Sequence, residues 1–284
     1  MTAHICRTGD GRALAYRVIG SGAVVLCHGG GPGFSGRYLD DLAGLAERFT
    51  LVLLDPRGTG ASDRPLDPTA YAIDDYVTDV DEVRRHLGLE RVRLLGHSHG
   101  GVVAMAYAAA NPRAVERLVL ASTLARFHDE QEAAMQAGLQ ARSGEPWFPE
   151  ALAALEREQA GDFAGDEELT DIVFRELPLY FARFGDAERA YLDRLRAETI
   201  NADTLLLFNR EIFRAFDLRP SLGRITAPTL VITGEDDFIT GPVCAREIAA
   251  GVIGSRQALV PGAGHMLFVE RPDRFREEVA AFLA

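Results

Sequence analysis

The chain has 284 residues, a formal net charge of −12 and three cysteines. Hydrophobic residues make up 47% and charged residues 25%, which excludes a mainly disordered, collagenous or coiled-coil protein. All 30 basic residues are arginine and form no long basic run, so an acidic chain of this kind is not expected to bind nucleic acid. Cys6, Cys27 and Cys244 lack a CxxC spacing, which points to a reducing compartment and no zinc site. The first residues, MTAHICRTGDGR, have no apolar signal-peptide core. The longest apolar stretch, Gly101 to Ala110, is half the length a bilayer requires. The expectation is a soluble cytoplasmic protein with no membrane partner.

Four short apolar runs, each bounded by turn residues, mark the first 124 residues: Ala23 to Cys27, Leu51 to Leu54, Val92 to Leu95 and Leu118 to Ala121. Runs of this kind suit strands buried on both faces. Between them, Tyr76, Val77, Val80, Val83 and Leu87 recur at helical steps and Gly88 supplies a stop. Such alternation predicts a mostly parallel sheet flanked by helices. From Arg126 to Arg219 strand signals vanish and helical spacing takes over. Twenty acidic residues there face eleven arginines, so this segment carries most of the net charge. Strand patterns resume at Thr229 to Thr233 and Gln257 to Val260, and Arg274 to Leu283 reads as a closing helix. The division predicted is an α/β core over residues 1–124 and 221–284, with a helical insertion over 125–220.

Gly96-His97-Ser98-His99-Gly100 fits G-x-S-x-G, follows an apolar strand and opens a helical pattern. In that context Ser98 would sit on a tight strand-to-helix turn, where flanking glycines avoid collisions and a helix N-terminus lies beneath the hydroxyl. A serine hydroxyl needs a base oriented by a third group. The chain order for this architecture is serine, acid, histidine. Asp237, with Asp236 as runner-up, follows the TLVIT strand, and His265 follows the QALVP strand. Both lie just past strand ends, where open α/β sheets place their sites. Acyl transfer also needs two N–H groups aimed at the developing oxyanion. His99 would supply one and Gly30, in His28-Gly29-Gly30-Gly31-Pro32-Gly33, the other. His28 would brace this loop, and His97 and His99 would pack beside the turn. His4, His86 and His128 read as structural or surface residues.

Taken together, HGGGPG at His28, DPRGTGAS at Asp55, GHSHGG at Gly96, GEDD at Gly234 and PGAGHMLFVERP at Pro261 resemble the α/β-hydrolase fold superfamily over nearly the whole chain. The resemblance implies that fold, a helical cap over 125–220, no cofactor, and no catalytic part for Arg57. Ser98 stands where the dehalogenases and most epoxide hydrolases of this fold carry an aspartate. The glycine loop is similar to the HGGPG of proline iminopeptidases, with one glycine more. Their cap carries acidic side chains for the substrate's free amine, and Glu176 and Glu211 are the candidates here. The elbow lacks the tryptophan usual after the serine in those enzymes; GHSxGG also occurs in general esterases. The substrate implied is a small molecule or short peptide with a free amine. Open alternatives are a carboxylesterase, lactonase or thioesterase, and a non-catalytic ligand receptor on the same fold. Oligomeric state is not legible.

Overall fold

The computed structural model describes residues 3–284. The strands are β1 (His4–Arg7), β2 (Ala13–Ile19), β3 (Ala23–His28), β4 (Phe49–Leu54), β5 (Val92–His97), β6 (Val115–Ala121), β7 (Thr229–Gly234) and β8 (Arg256–Val260). They form one sheet in the order β1-β2-β4-β3-β5-β6-β7-β8. From β3 to β8 neighbouring strands run parallel, whereas β1 and β2 are antiparallel to their neighbours. This is the α/β-hydrolase fold.

The antiparallel pair at the edge has no counterpart among the sequence expectations. Only Cys6 of β1 is buried, so the strand shows no apolar run to read. The central strands behave as their sequences predict. Leu51 and Leu53 join the core on one face of the sheet, while Val52 and Leu54 join the core on the other. A strand with both faces covered needs apolar residues at every position, which is why these runs are continuous rather than alternating.

Two helices of the first half cover the sheet, α1 (Ile73–His86) and α2 (His99–Ala110). Between β6 and β7 come α3 (Asp129–Ala141), α4 (Phe148–Ala160), α5 (Asp166–Glu176), α6 (Asp186–Leu195), α7 (Ala202–Leu207) and α8 (Arg219–Leu222). A stretch wound as π-helix, Phe208 to Ile212, extends α7. After β7 come α9 (Pro242–Gly251), α10 (Leu267–Glu270) and α11 (Pro272–Leu283). Arg57, buried, holds Asp79 through Nε at 2.7 Å and Nη2 at 2.8 Å, and donates to the carbonyls of Ala70 and Asp75. It therefore ties a loop to α1. Among the described residues, no helix is long and apolar enough to cross a membrane.

Candidate active site

The β5–α2 junction builds the turn the motif called for. Ser98 adopts φ 55° and ψ −123°, a backbone conformation costly for any residue with a side chain. The surrounding structure enforces it: Ser98 N–H donates to the carbonyl of Ala121 at 3.0 Å, and Thr123 Oγ1 donates to the Ser98 carbonyl at 2.7 Å. Gly100 must lack a side chain, because a Cβ there would lie 2.2 Å from the carbonyl oxygen of His28. Strain at one half-buried serine, held by close packing around it, is characteristic of functional turns.

Asp237 and His265 lie past the ends of β7 and β8. His265 Nδ1 is 3.0 Å from Asp237 Oδ2, and both side chains are buried. The carboxylate also accepts N–H groups from Ile239 and Thr240 at 3.0 Å and the Thr240 hydroxyl at 2.9 Å. Burial alone would raise this carboxyl. The attraction to His265 and these hydrogen bonds outweigh it and hold Asp237 well below the usual carboxylate range. An ionised Asp237 accepts from Nδ1–H, which leaves Nε2 of His265 as the basic nitrogen. Asp236, the runner-up acid, is exposed. The His265 N–H donates to the Tyr180 carbonyl at 2.7 Å, so the insertion grips the histidine's backbone.

Ser98 and His265 line one cavity of about 700 Å³. Among the described residues no hydrogen bond joins the Ser98 hydroxyl to the imidazole. Their neighbourhood is nonetheless tight: the His97 ring, one residue before Ser98, is 4.8 Å from the His265 ring between centroids. His99 is buried against Tyr76 and Phe208, and burial, followed by the nearby His28, pushes its imidazole down to about 3. His28, fully buried, donates Nδ1–H to the Gly29 carbonyl at 2.8 Å and is pushed down to about 4 by burial.

At Gly30 the structure differs from expectation. The loop does press on Ser98, since a Cβ on Gly30 would fall 2.4 Å from Ser98 Cβ. Its N–H, however, donates to Tyr38 Oη at 2.5 Å rather than standing free for an oxyanion. The amides of His99 and Gly31, which both line the cavity, have no acceptor among the described residues.

The acidic candidates separate. Glu176 lines the cavity and is only 3% exposed. Burial, and then repulsion from Glu158, raises its carboxyl well above the ordinary range against the 3.3 Å hydrogen bond from Tyr180 Oη. Glu211 is exposed and does not line the cavity, which corrects the sequence expectation. Glu211 lies within the π-wound turn. The turn's hydrogen bonds span five residues, as in Phe213 N–H to the Phe208 carbonyl at 2.8 Å. Phe208, Asn209 and Phe213 line the cavity and Glu211 does not. The acid missed by sequence reading is Glu158, buried in α4 and lining the same cavity. Asn209 Nδ2 donates to it at 2.7 Å, and burial pushes it up to about 7. Nothing in Ala154-Leu155-Glu156-Arg157-Glu158 distinguishes it from an ordinary helix face. No cluster of three or more metal-ligating side chains occurs among the described residues.

The profile of the α/β hydrolase fold matches residues 22–272, nearly the whole chain. The chain belongs to the α/β-hydrolase fold family. This hydrolase is similar to the proline iminopeptidase of Pestalotiopsis fici, at 31% identity over 96% of this chain and 97% of that one. It is also similar to the proline iminopeptidase of Saccharolobus solfataricus, at 29% identity over 94% and 87%. Among solved structures, the enol-lactonase of Burkholderia xenovorans matches with TM-score 0.74 and 27% identity over 99% of both chains. The chain thus stands near the proline iminopeptidase branch of an enzyme family.

Proposed function

We propose that this hydrolase cleaves an acyl bond with Ser98, His265 and Asp237. In this reading it is an aminopeptidase of the proline iminopeptidase type, removing an N-terminal aminoacyl group from a short peptide or aminoacylated metabolite. Residues 125–220 serve as the cap. Ser98 Oγ attacks the carbonyl carbon while His265 Nε2 takes its proton. The oxyanion is met by the His99 N–H and by the Gly31 N–H of the glycine loop. On collapse the C–N bond breaks and His265 gives the proton to the leaving amine. Water then attacks the acyl-serine, His265 takes and returns a proton, and Ser98 is regenerated. Asp237 stays ionised and holds the imidazole's tautomer. No metal or organic cofactor enters this scheme.

The observation that carries the reading is the Glu158–Glu176 pair. Two buried carboxyls sit in the cavity of Ser98; among the described residues neither has a salt-bridge partner, and Glu176 Oε2 has no hydrogen-bond partner. Burying such groups is expensive unless a counter-charge arrives. A substrate ammonium is that counter-charge. The similarity to proline iminopeptidases supports the same substrate class.

A second reading, hydrolysis of a small neutral ester or lactone, draws on the apolar wall of Phe34, Leu124, Phe127, Phe208 and Phe213 and on the enol-lactonase likeness. A panel of prolyl and other aminoacyl anilides, each with and without a blocked amine, beside nitrophenyl esters separates the two. The aminopeptidase reading expects blocking to abolish turnover of the anilides. Equal turnover of blocked and free amines, or turnover of esters alone, rejects it.

A further inference from the structure

A single directed chain of hydrogen bonds joins three loops of this site. His97 Nε2 lies 3.0 Å from the carbonyl oxygen of His265. A carbonyl only accepts, so Nε2 carries the hydrogen. Burial, and then the adjacent His265 imidazole, push His97 down to about 3, which leaves the ring neutral with its lone pair on Nδ1. Tyr38 Oη, 2.7 Å from that nitrogen, therefore donates to it. The Gly30 N–H in turn donates to Tyr38 Oη. Each direction follows from its neighbour, and both ends are backbone groups that cannot reverse.

We propose that Tyr38 and His97 are positioning residues that lock the glycine loop, the Ser98 turn and the His265 loop into one unit, an inference that rests on the serine-hydrolase reading above. The three loops leave the sheet after β3, β5 and β8, and in the sheet β6 and β7 separate β5 from β8. Strand pairing thus does not set the distance between the Ser98 turn and His265. The relay does so through a side chain one residue from the nucleophile. Its members are themselves held. The Tyr191 hydroxyl of α6 donates to the Tyr38 carbonyl at 2.6 Å, and the Phe268 ring packs edge-on to His97 at 5.3 Å. A Cβ on Gly29 would come within 2.9 Å of the Tyr38 ring, so the loop lies flat against it. A fully satisfied buried polar network of this kind specifies one arrangement of the groups it connects.

The test reads the second-order rate constant for labelling of Ser98 by a fluorophosphonate. That rate depends on the nucleophile and the oxyanion site and not on which substrate the enzyme takes. Tyr38→Phe removes both hydrogen bonds of the hydroxyl. His97→Gln keeps a donor toward the His265 carbonyl and loses the acceptor for Tyr38. Each is expected to slow labelling about tenfold, as a sub-ångström misplacement of reacting groups does. The double variant is expected to be no slower than the slower single, because both cut the same chain. With a nitrophenyl ester, kcat should fall by the same factor while KM holds. Unfolded protein lowers the labelled fraction and not the rate constant, so a poorly folding variant still reports. Singles that label within about twofold of wild type, or a double whose loss is the product of the two, overturn the relay. A wild-type protein that does not label at all overturns the nucleophile assignment beneath it, a separate result.

Discussion

Ser98 carries the chemistry proposed here, and its environment fixes how hard each neighbour is to replace. Ser98→Ala is expected to lower kcat at least ~10⁴-fold with little change in melting temperature, because the methyl suits the same strained turn. Asp237→Asn should cost on the order of 10⁴-fold in kcat, since an amide at that position favours the wrong imidazole tautomer. Both are read from steady-state kinetics on the same substrate. Glu176→Gln and Glu158→Gln test a different link. Each removes charge from the pair without changing its shape, so KM for a free-amine substrate should rise about ten- to a hundredfold, the value of a charge-assisted hydrogen bond. KM for a nitrophenyl ester should stay within about twofold, as no ammonium is at stake. Glu211→Gln, exposed on its π-wound turn, is expected to leave both unchanged. A loss of amine recognition in Glu211→Gln would reverse the assignment.

At the scale of elements, the site is a product of strand ends. The Ser98 turn closes β5 and opens α2, while Asp237 and His265 leave β7 and β8 at the same edge of the sheet. The turn works only if α2 approaches the glycine loop closely. Gly100→Ala would place a methyl 2.2 Å from the His28 carbonyl, a contact that backbone atoms cannot relax cheaply. It should destabilise the fold by about 1–3 kcal/mol despite alanine's better helix propensity, and slow fluorophosphonate labelling. A melting curve and a labelling time course check both effects. The local grammar of this element was legible in GHSHGG because glycine placement, apolar strand and helix opening are all nearest-neighbour matters. Glu158 was not. It lies on α4 in a surface whose periodicity resembles any solvated helix, and Glu211, chosen as an acidic residue of the insertion, lies exposed on a π-wound turn.

For the whole molecule, the buried acids predict a pH dependence of stability. A carboxyl whose folded-state pKa is raised favours the native state while protonated. That advantage is complete below its unfolded value and lost as pH rises through the folded one. Glu158 is raised from 4.5 to about 7 by burial, and Glu176 is raised in the same sense by burial and by Glu158. Glu270 is also raised, to about 7, by burial against the N–H groups it accepts from Gly264, Arg183 and Ala182. The melting temperature should therefore fall as pH is raised from about 5 to about 8. The slope should flatten in a Glu158→Gln, Glu176→Gln double variant, with Glu270 sustaining the remainder. A free-amine ligand that supplies a counter-charge should raise the melting temperature more at pH 8 than at pH 5, and its blocked form should not. Substrate binding runs the opposite way in pH. KM for amines should increase as Glu158 is protonated below about 7. A melting temperature independent of pH over this interval would mean that the pair is not buried as described.

Chain order, strand ends and turn glycines are properties of short segments, and from them the sequence by itself determined the fold, the tight turn at Ser98 and the placing of Asp237 and His265 just past later strands. It determined them because backbone sterics and apolar runs act over a few residues. Tertiary structure alone decided which of two adjacent aspartates faces His265, that Gly30 gives its N–H to Tyr38, and that Glu158 rather than Glu211 joins Glu176. Those outcomes depend on contacts between segments distant in the chain, as when His97 meets the backbone of His265 across 168 positions. They also depend on burial, which turns a carboxylate from a solvated surface group into one that requires a partner.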